Sequence, residues 1–158
     1  MSNPTPPLFP FSVMGLLIGR TALLKDQILD RNLEPYSVTA AQFKVLIMIA
    51  HFGVDTPAEL CRQLSLDSGA MTRMLDRLEQ KGLIIRRRCA ADRRQVRLAL
   101  PQEGQELADL LPKFGADAMD ELLGALTPEE HATLERILKK VLFSAGDVIT
   151  MQRLGDSQ

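Results

Sequence analysis

The sequence predicts a mainly α-helical domain interrupted once by a small β-hairpin. Three observations carry this reading. Apolar residues recur at helical spacing over most of the chain, capping signals open helices at Thr39, Thr56, Asp67 and Thr127, and the segment 83–100 switches to apolar runs with period-two alternation. At 158 residues, with 46% hydrophobic and 25% charged side chains, the chain has the size and balance of one globular domain rather than of a disordered segment. No apolar run approaches the ~20 residues of a bilayer span; the best, Val45 to Ala50, is followed at once by His51. The first nineteen residues hold no Lys or Arg, so no secretory n-region is expected there. Two cysteines, Cys61 and Cys89, are too few for a disulfide framework. The expectation is a reduced, cytoplasmic protein with no membrane partner.

The elements follow in order. Four of the nine prolines fall in the first ten residues, so 1–10 reads as a flexible Pro-rich tail and 11–158 as the domain. Val13, Leu16, Leu17, Leu24 and Ile28 then mark a first helix that Pro35 ends. Thr39 caps a second, with Gln42 at the third position completing a capping box. Its run from Phe43 to Ile49 is apolar on nearly every side and must be core. Thr56-Pro57-Ala58-Glu59 opens a short third helix ending near Leu64, and Asp67-Ser68-Gly69 a fourth, which Gly82 stops. Two helices in tandem, the second with exposed arginines, form a helix-turn-helix. Residues 83–88 and 95–100 read as strands joined by Ala90-Ala91-Asp92-Arg93-Arg94, a hairpin with a basic tip. From Pro101 the pattern is helical again. Pro112 is expected to kink the first of these helices, and Thr127-Pro128-Glu129-Glu130 starts the last.

The net charge of −1 hides a strong asymmetry. Between Arg62 and Arg97 the chain holds ten Lys/Arg against four Asp/Glu, whereas the remainder holds nine against sixteen. A cationic window inside an anionic chain is the electrostatic footprint of a nucleic-acid site, though it also fits a solvated face. Helical geometry sharpens it. At about 100° per residue, Met71, Met74, Leu75 and Leu78 fall on one side of the fourth helix and Arg73 and Arg77 nearly opposite, beside Gly69 and Ala70. Small residues let a helix end approach base edges, where a bidentate arginine reads guanine. The competing reading is an exposed helix whose arginines pair with Asp76 or Glu79. The hairpin decides between them: Arg86, Arg87, Arg88 and Arg97 on the strands suit phosphates, and an arginine at the tip suits the narrow minor groove. Helix-turn-helix followed directly by a basic hairpin is a winged helix.

Several runs together then resemble the MarR family of bacterial transcription regulators. They are Thr39 to Leu46, Thr56 to Leu60, Gly69 to Leu78, Lys81-Gly82, Asp92 to Arg94, Leu126 to Glu130 and Thr133 to Leu142. The resemblance spans about Leu8 to Leu142. It implies a homodimeric repressor on a near-palindromic operator in double-stranded DNA, with antibiotic-resistance or efflux genes as targets. The N- and C-terminal helices, 11–38 and 101–158, would dimerise, and 39–100 would bind DNA. Carried over by motif, the helix from Ser68 to Arg77 reads the major groove through Ser68, Gly69, Ala70, Thr72, Arg73 and Arg77. Arg94 enters the minor groove beside Arg93, with Asp92 orienting it, and Arg86 completes the DNA face. A small phenolic or aromatic-acid effector would use Thr72, Arg77 and Arg86, a hydroxyl and cations able to hold a carboxylate. One departure is Pro101 after Leu100, where family members commonly begin the post-wing helix with Leu-Thr.

No cofactor is expected. His51 and His131 lie eighty residues apart without a recognisable catalytic partner, which argues against an enzyme, and no CxxC pair or His-x-x-x-His spacing suggests a metal. Two alternatives stay open. A winged helix can serve as a protein–protein module, although such a module needs no cationic tip. A redox-responsive regulator would use Cys89, whose neighbour Arg88 favours a reactive thiol, while Cys61 reads as inert packing.

Overall fold

The computed structural model describes residues 10–155, which form seven α-helices, one 3-10 turn and a single hairpin: α1 (Pro10–Leu33), the 3-10 turn (Glu34–Tyr36), α2 (Ala40–Phe52), α3 (Pro57–Leu64), α4 (Ser68–Gln80), β1 (Ile85–Arg88), β2 (Val96–Ala99), α5 (Gln102–Leu123), α6 (Pro128–Ser144) and α7 (Val148–Leu154). The expected tail at 1–10 lies outside the described residues except for Pro10, which opens α1.

The caps read from the sequence are made. Thr39 accepts from the Gln42 amide at 3.2 Å while the Gln42 side chain accepts from the Thr39 amide, and Thr127 and Glu130 repeat the exchange at α6. Asp67 Oδ1 accepts from the Ala70 amide at 2.8 Å. A side chain that satisfies an otherwise orphaned amide is worth about 1 kcal/mol. Pro101, by contrast, stands at the N-cap of α5 with no side-chain cap. Gly82 takes a positive φ of 71° after α4, and the Leu83 amide reaches back to Leu78 O at 3.0 Å, so the chain reverses within one residue and drops Leu83 and Ile84 into the core. The strands are accordingly shorter than the expected 83–88 and 95–100. Their antiparallel register pairs Arg86 with Leu98 and Arg87 with Arg97.

The core is continuous: Leu33 of α1, Leu46 of α2, Leu60 of α3, Leu75 and Leu78 of α4, Ile84 just before β1 and Leu111 of α5 are all fully buried. α5 lies against both α1 and α2. Its first turn sits so close to the segment after α4 that a Cβ on Gly104 would stand 2.1 Å from Leu83 O, so only glycine fits there. Arg31 bridges to Glu121 at 2.5 Å along the α1–α5 contact.

Pro112 stands inside α5, which runs on through it to Leu123. The proline cannot donate to the Ala108 carbonyl one turn back, and His51 Nε2 donates to that carbonyl at 3.0 Å instead. His51 is therefore a structural tie between α2 and α5. One expectation needs correction: the Pro128 helix is not the last. It closes at Ser144, Gly146 takes φ +69°, and Asp147 caps α7 through a 2.7 Å bond to the Thr150 amide. Gly146-Asp147 was a legible stop-and-start signal that the longer helical pattern masked.

Candidate nucleic-acid interface

α4 presents the two faces its spacing predicts. Met71, Leu75 and Leu78 are at most 1% exposed, whereas Ser68, Gly69, Thr72, Arg73 and Arg77 are exposed, with Ala70 half-buried at the amino end. The tip of the hairpin is a built turn. Asp92 Oδ1 accepts from the Arg94 amide at 2.9 Å, Gln95 N donates to Asp92 O at 3.0 Å, and Cys89 N donates to Gln95 O at 3.0 Å. Asp92 thus acts on the backbone of Arg94, in the manner of an Asx turn, and leaves the guanidinium free. The turn therefore gives the Asp92 carboxylate a structural role of its own.

The ten cations of the basic window divide by their partners. Arg62 pairs with Glu59 at 2.5 Å, Arg97 with Asp55 at 2.7 Å, and Arg86 with both Asp76 and Glu79. Lys81 donates to Ser37 O and, at 2.9 Å, to Oε1 of the buried Gln42. Among the described residues the other six, Arg73, Arg77, Arg87, Arg88, Arg93 and Arg94, are exposed and make no ion pair. Two stand on the outward face of α4 and four on the wing. Arg73 lies near the N-cap, where the Asp67 carboxyl is held below its usual range chiefly by the Ala70 amide, with the Gly69 amide and the Arg73 charge adding to it.

The ties that hold this face in place were not legible in the sequence. Asp55, in the loop before α3, accepts the Leu98 amide on its carbonyl at 2.8 Å and the Arg97 guanidinium on its carboxylate, fastening β2 to the helices. Arg97 is therefore a structural cation, not a free strand arginine. Arg86 also departs from expectation. It is half-buried and paired with two carboxylates of α4. Of the effector residues, Thr72 donates to Ser68 O at 2.8 Å and only Arg77 is an uncommitted cation. A cleft of about 240 Å³ lies elsewhere, between α5 and α6, lined by Met119, Asp120, Leu123 and His131 among others. Cys61 and Cys89 are both half-exposed, and Cys61 packs against the core. No group of His, Cys, Asp and Glu among the described residues is arranged to hold a metal.

This geometry has counterparts. The MarR family model matches residues 38–96, which is the span from the start of α2 to the wing. The multiple antibiotic resistance protein MarR of Escherichia coli K12 is 44% identical over 130 residues, covering 82% of this chain and 90% of that one. The chain belongs to the MarR family. The HTH-type transcriptional regulator PecS of Dickeya dadantii is more distant, 30% identical over 84% of this chain and 81% of its own. Among solved structures, the reduced form of E. coli MarR superposes with a TM-score of 0.74 at 42% identity, covering 89% of this chain and 99% of that one. A cysteine-to-serine variant of E. coli MarR, solved in complex with operator DNA, gives the same TM-score and coverage at 39% identity. By family this MarR protein is a DNA-binding transcriptional repressor with a winged-helix fold, not an enzyme. No helix among the described residues is long and apolar enough to cross a membrane.

Proposed function

We propose that this MarR protein acts in the cytoplasm as a homodimer on a near-palindromic operator, reading the major groove with α4 and the flanking minor groove with the wing. The observation that carries the proposal is the sorting of the cations. Carboxylates neutralise three of the ten, neutral oxygens hold Lys81, and the six left over all lie on α4 and the hairpin. In this reading Ser68, Gly69, Ala70 and Thr72 admit the helix tip to base edges, Arg73 and Arg77 read bases, and Arg94, on the turn built by Asp92, enters the minor groove beside Arg93. Arg87 and Arg88 face phosphates. The division of labour proposed is 39–100 for DNA and the helices of 11–38 and 101–158 for dimerisation. Exposed apolar side chains support it, with six on α1, five on α6 and three on α7 among the described residues. Release by a small phenolic or aromatic acid belongs to the same reading and rests on the family. Arg77 would take the carboxylate, because Arg86 is occupied.

The test is fluorescence anisotropy on labelled duplex from upstream of the chain's own gene, against a scrambled duplex, across a salt series. Preference for the upstream duplex is expected, with log Kd changing steeply with log salt at a slope of about 0.9 for each phosphate neutralised. Arg73→Ala and Arg94→Ala should each weaken binding by roughly 1–3 kcal/mol without dissociating the dimer. Unchanged binding by both variants would overturn the reading. Adding salicylate-like acids to the complex then tests release.

A further inference from the structure

Arg86 is the cation of the site that the structure turns inward. It stands in β1, two residues past the end of the buried Leu83-Ile84 segment. Its guanidinium reaches back across the Gly82 turn to α4. Nε donates to Glu79 Oε2 at 3.0 Å, and one terminal nitrogen donates to the same oxygen at 2.7 Å and to Asp76 Oδ1. The side chain is 28% exposed, less than either carboxylate partner. A planar fork held by carboxylates from two successive turns of one helix is fixed in direction as well as in distance. The pairing also holds the Glu79 carboxyl below its usual range.

The wing is thus anchored at its root on both strands: β1 by Arg86 to α4, and β2 by Arg97 and the Leu98 amide to Asp55. Beyond that root the hairpin extends free to Arg93 and Arg94. The five residues from Arg86 to the tip span about 16 Å at strand spacing, so a 10° swing at the root would carry the tip by roughly 3 Å, more than a hydrogen bond tolerates. Gly82 turns the chain between helix and wing, the Leu83-Ile84 segment after it is held in the core, and Arg86 is the first side chain beyond that segment that pairs with α4.

We infer that Arg86 is a positioning residue rather than a DNA or effector contact: by clamping Asp76 and Glu79 it fixes the angle between α4 and the wing, so that both reach one duplex in register. The inference rests on the reading of the wing given above.

The decisive variant is D76N/E79Q in the full chain. It removes two negative charges beside the DNA face, which by charge alone should tighten binding to any duplex, and it removes the clamp. A clamp predicts the opposite sign on the specific site, a loss of roughly tenfold of the size seen within one ion-pair network. Binding to the scrambled duplex should be unchanged or tighter. Arg86→Gln should show a matching loss, and combining all three substitutions should add little. Arg86→Lys keeps the charge and the stem but not the fork, so it should unfold at the parent temperature and still lose specific affinity. In an Arg94→Ala background these lesions should cost much less, because the minor-groove arginine that the clamp aims is gone. Tighter specific binding by D76N/E79Q would overturn the inference and make Arg86 a cation that the carboxylates withhold from DNA. Equal losses in the presence and absence of Arg94 would overturn it too, as a general loss of stability. If Arg94→Ala itself costs nothing, the wing reading falls and takes the inference with it, an outcome separate from the sign test.

Discussion

The winged-helix part and the terminal helices solve the problem of apolar surface differently. Between Thr39 and Leu100 the only large apolar side chain left exposed is Phe52, at 52%, and the guanidinium of Arg153 lies 4.9 Å over its ring. On α1, α6 and α7 the exposed set includes Met14, Leu16, Leu17, Ile18, Ile137, Leu138, Val141 and Met151. The first part is finished within one chain, and its exposed groups are charges. The second is finished only when something apolar covers it, and a second copy of the same chain offers the matching helices. The contrast teaches that DNA chemistry and assembly are written in different residues, so each can be broken without the other.

The largest expected effect breaks the terminal side alone. Leu17→Asp combined with Val141→Asp should yield a monomer by sedimentation. It should also reduce operator affinity by roughly a hundredfold or more, because two tethered half-site contacts become one. Helical content should be retained, since neither side chain lies in the core. A dimer that survives both charges would show that these faces do not meet.

Next comes a lesion confined to the core of the winged part. Leu60 is fully buried between α3 and its neighbours, and Leu60→Ala should cost about 2–5 kcal/mol in chemical unfolding. Arg87→Ala is milder and more informative. It should weaken specific and scrambled duplexes alike and lower the salt slope by about one, the signature of a phosphate contact. A loss confined to the specific duplex would instead make Arg87 a base reader.

The smallest effect concerns pH. Glu59 is pushed down to about 2, first by its hydrogen bonds to Arg62 and then by Gln63. Because the folded value lies below the ordinary 4.5, the pair's contribution is complete above that pH and is lost as pH falls toward 2. Both groups are exposed, so little stability is at stake. The sharper readout is NMR titration of the Glu59 carboxyl, which Arg62→Gln should return toward the ordinary range.

Much of this was legible because it is local. A threonine oxygen and the amide three residues on are neighbours whatever the rest of the chain does, so Thr39, Thr56, Asp67 and Thr127 announced their helices. Helical periodicity likewise placed Arg73 and Arg77 opposite Met71 and Leu75 before any contact was known. What the sequence could not decide is which cations remain free. Arg97 finds Asp55 forty-two residues away, and Lys81 finds Ser37 forty-four residues away. The neighbourhood of Arg97 is as basic as that of Arg94. Arg86 was expected at the DNA face for the same reason, and His51 meets the carbonyl orphaned by Pro112 only because α5 crosses α2. Caps and helix faces are set by neighbours along the chain. The fate of a charge is set by what folding brings within a few ångströms, since a guanidinium gains its strong bonds only at contact distance. The sequence by itself determined the helices, the hairpin and the basic window; the tertiary structure alone decided which arginines are left to meet DNA.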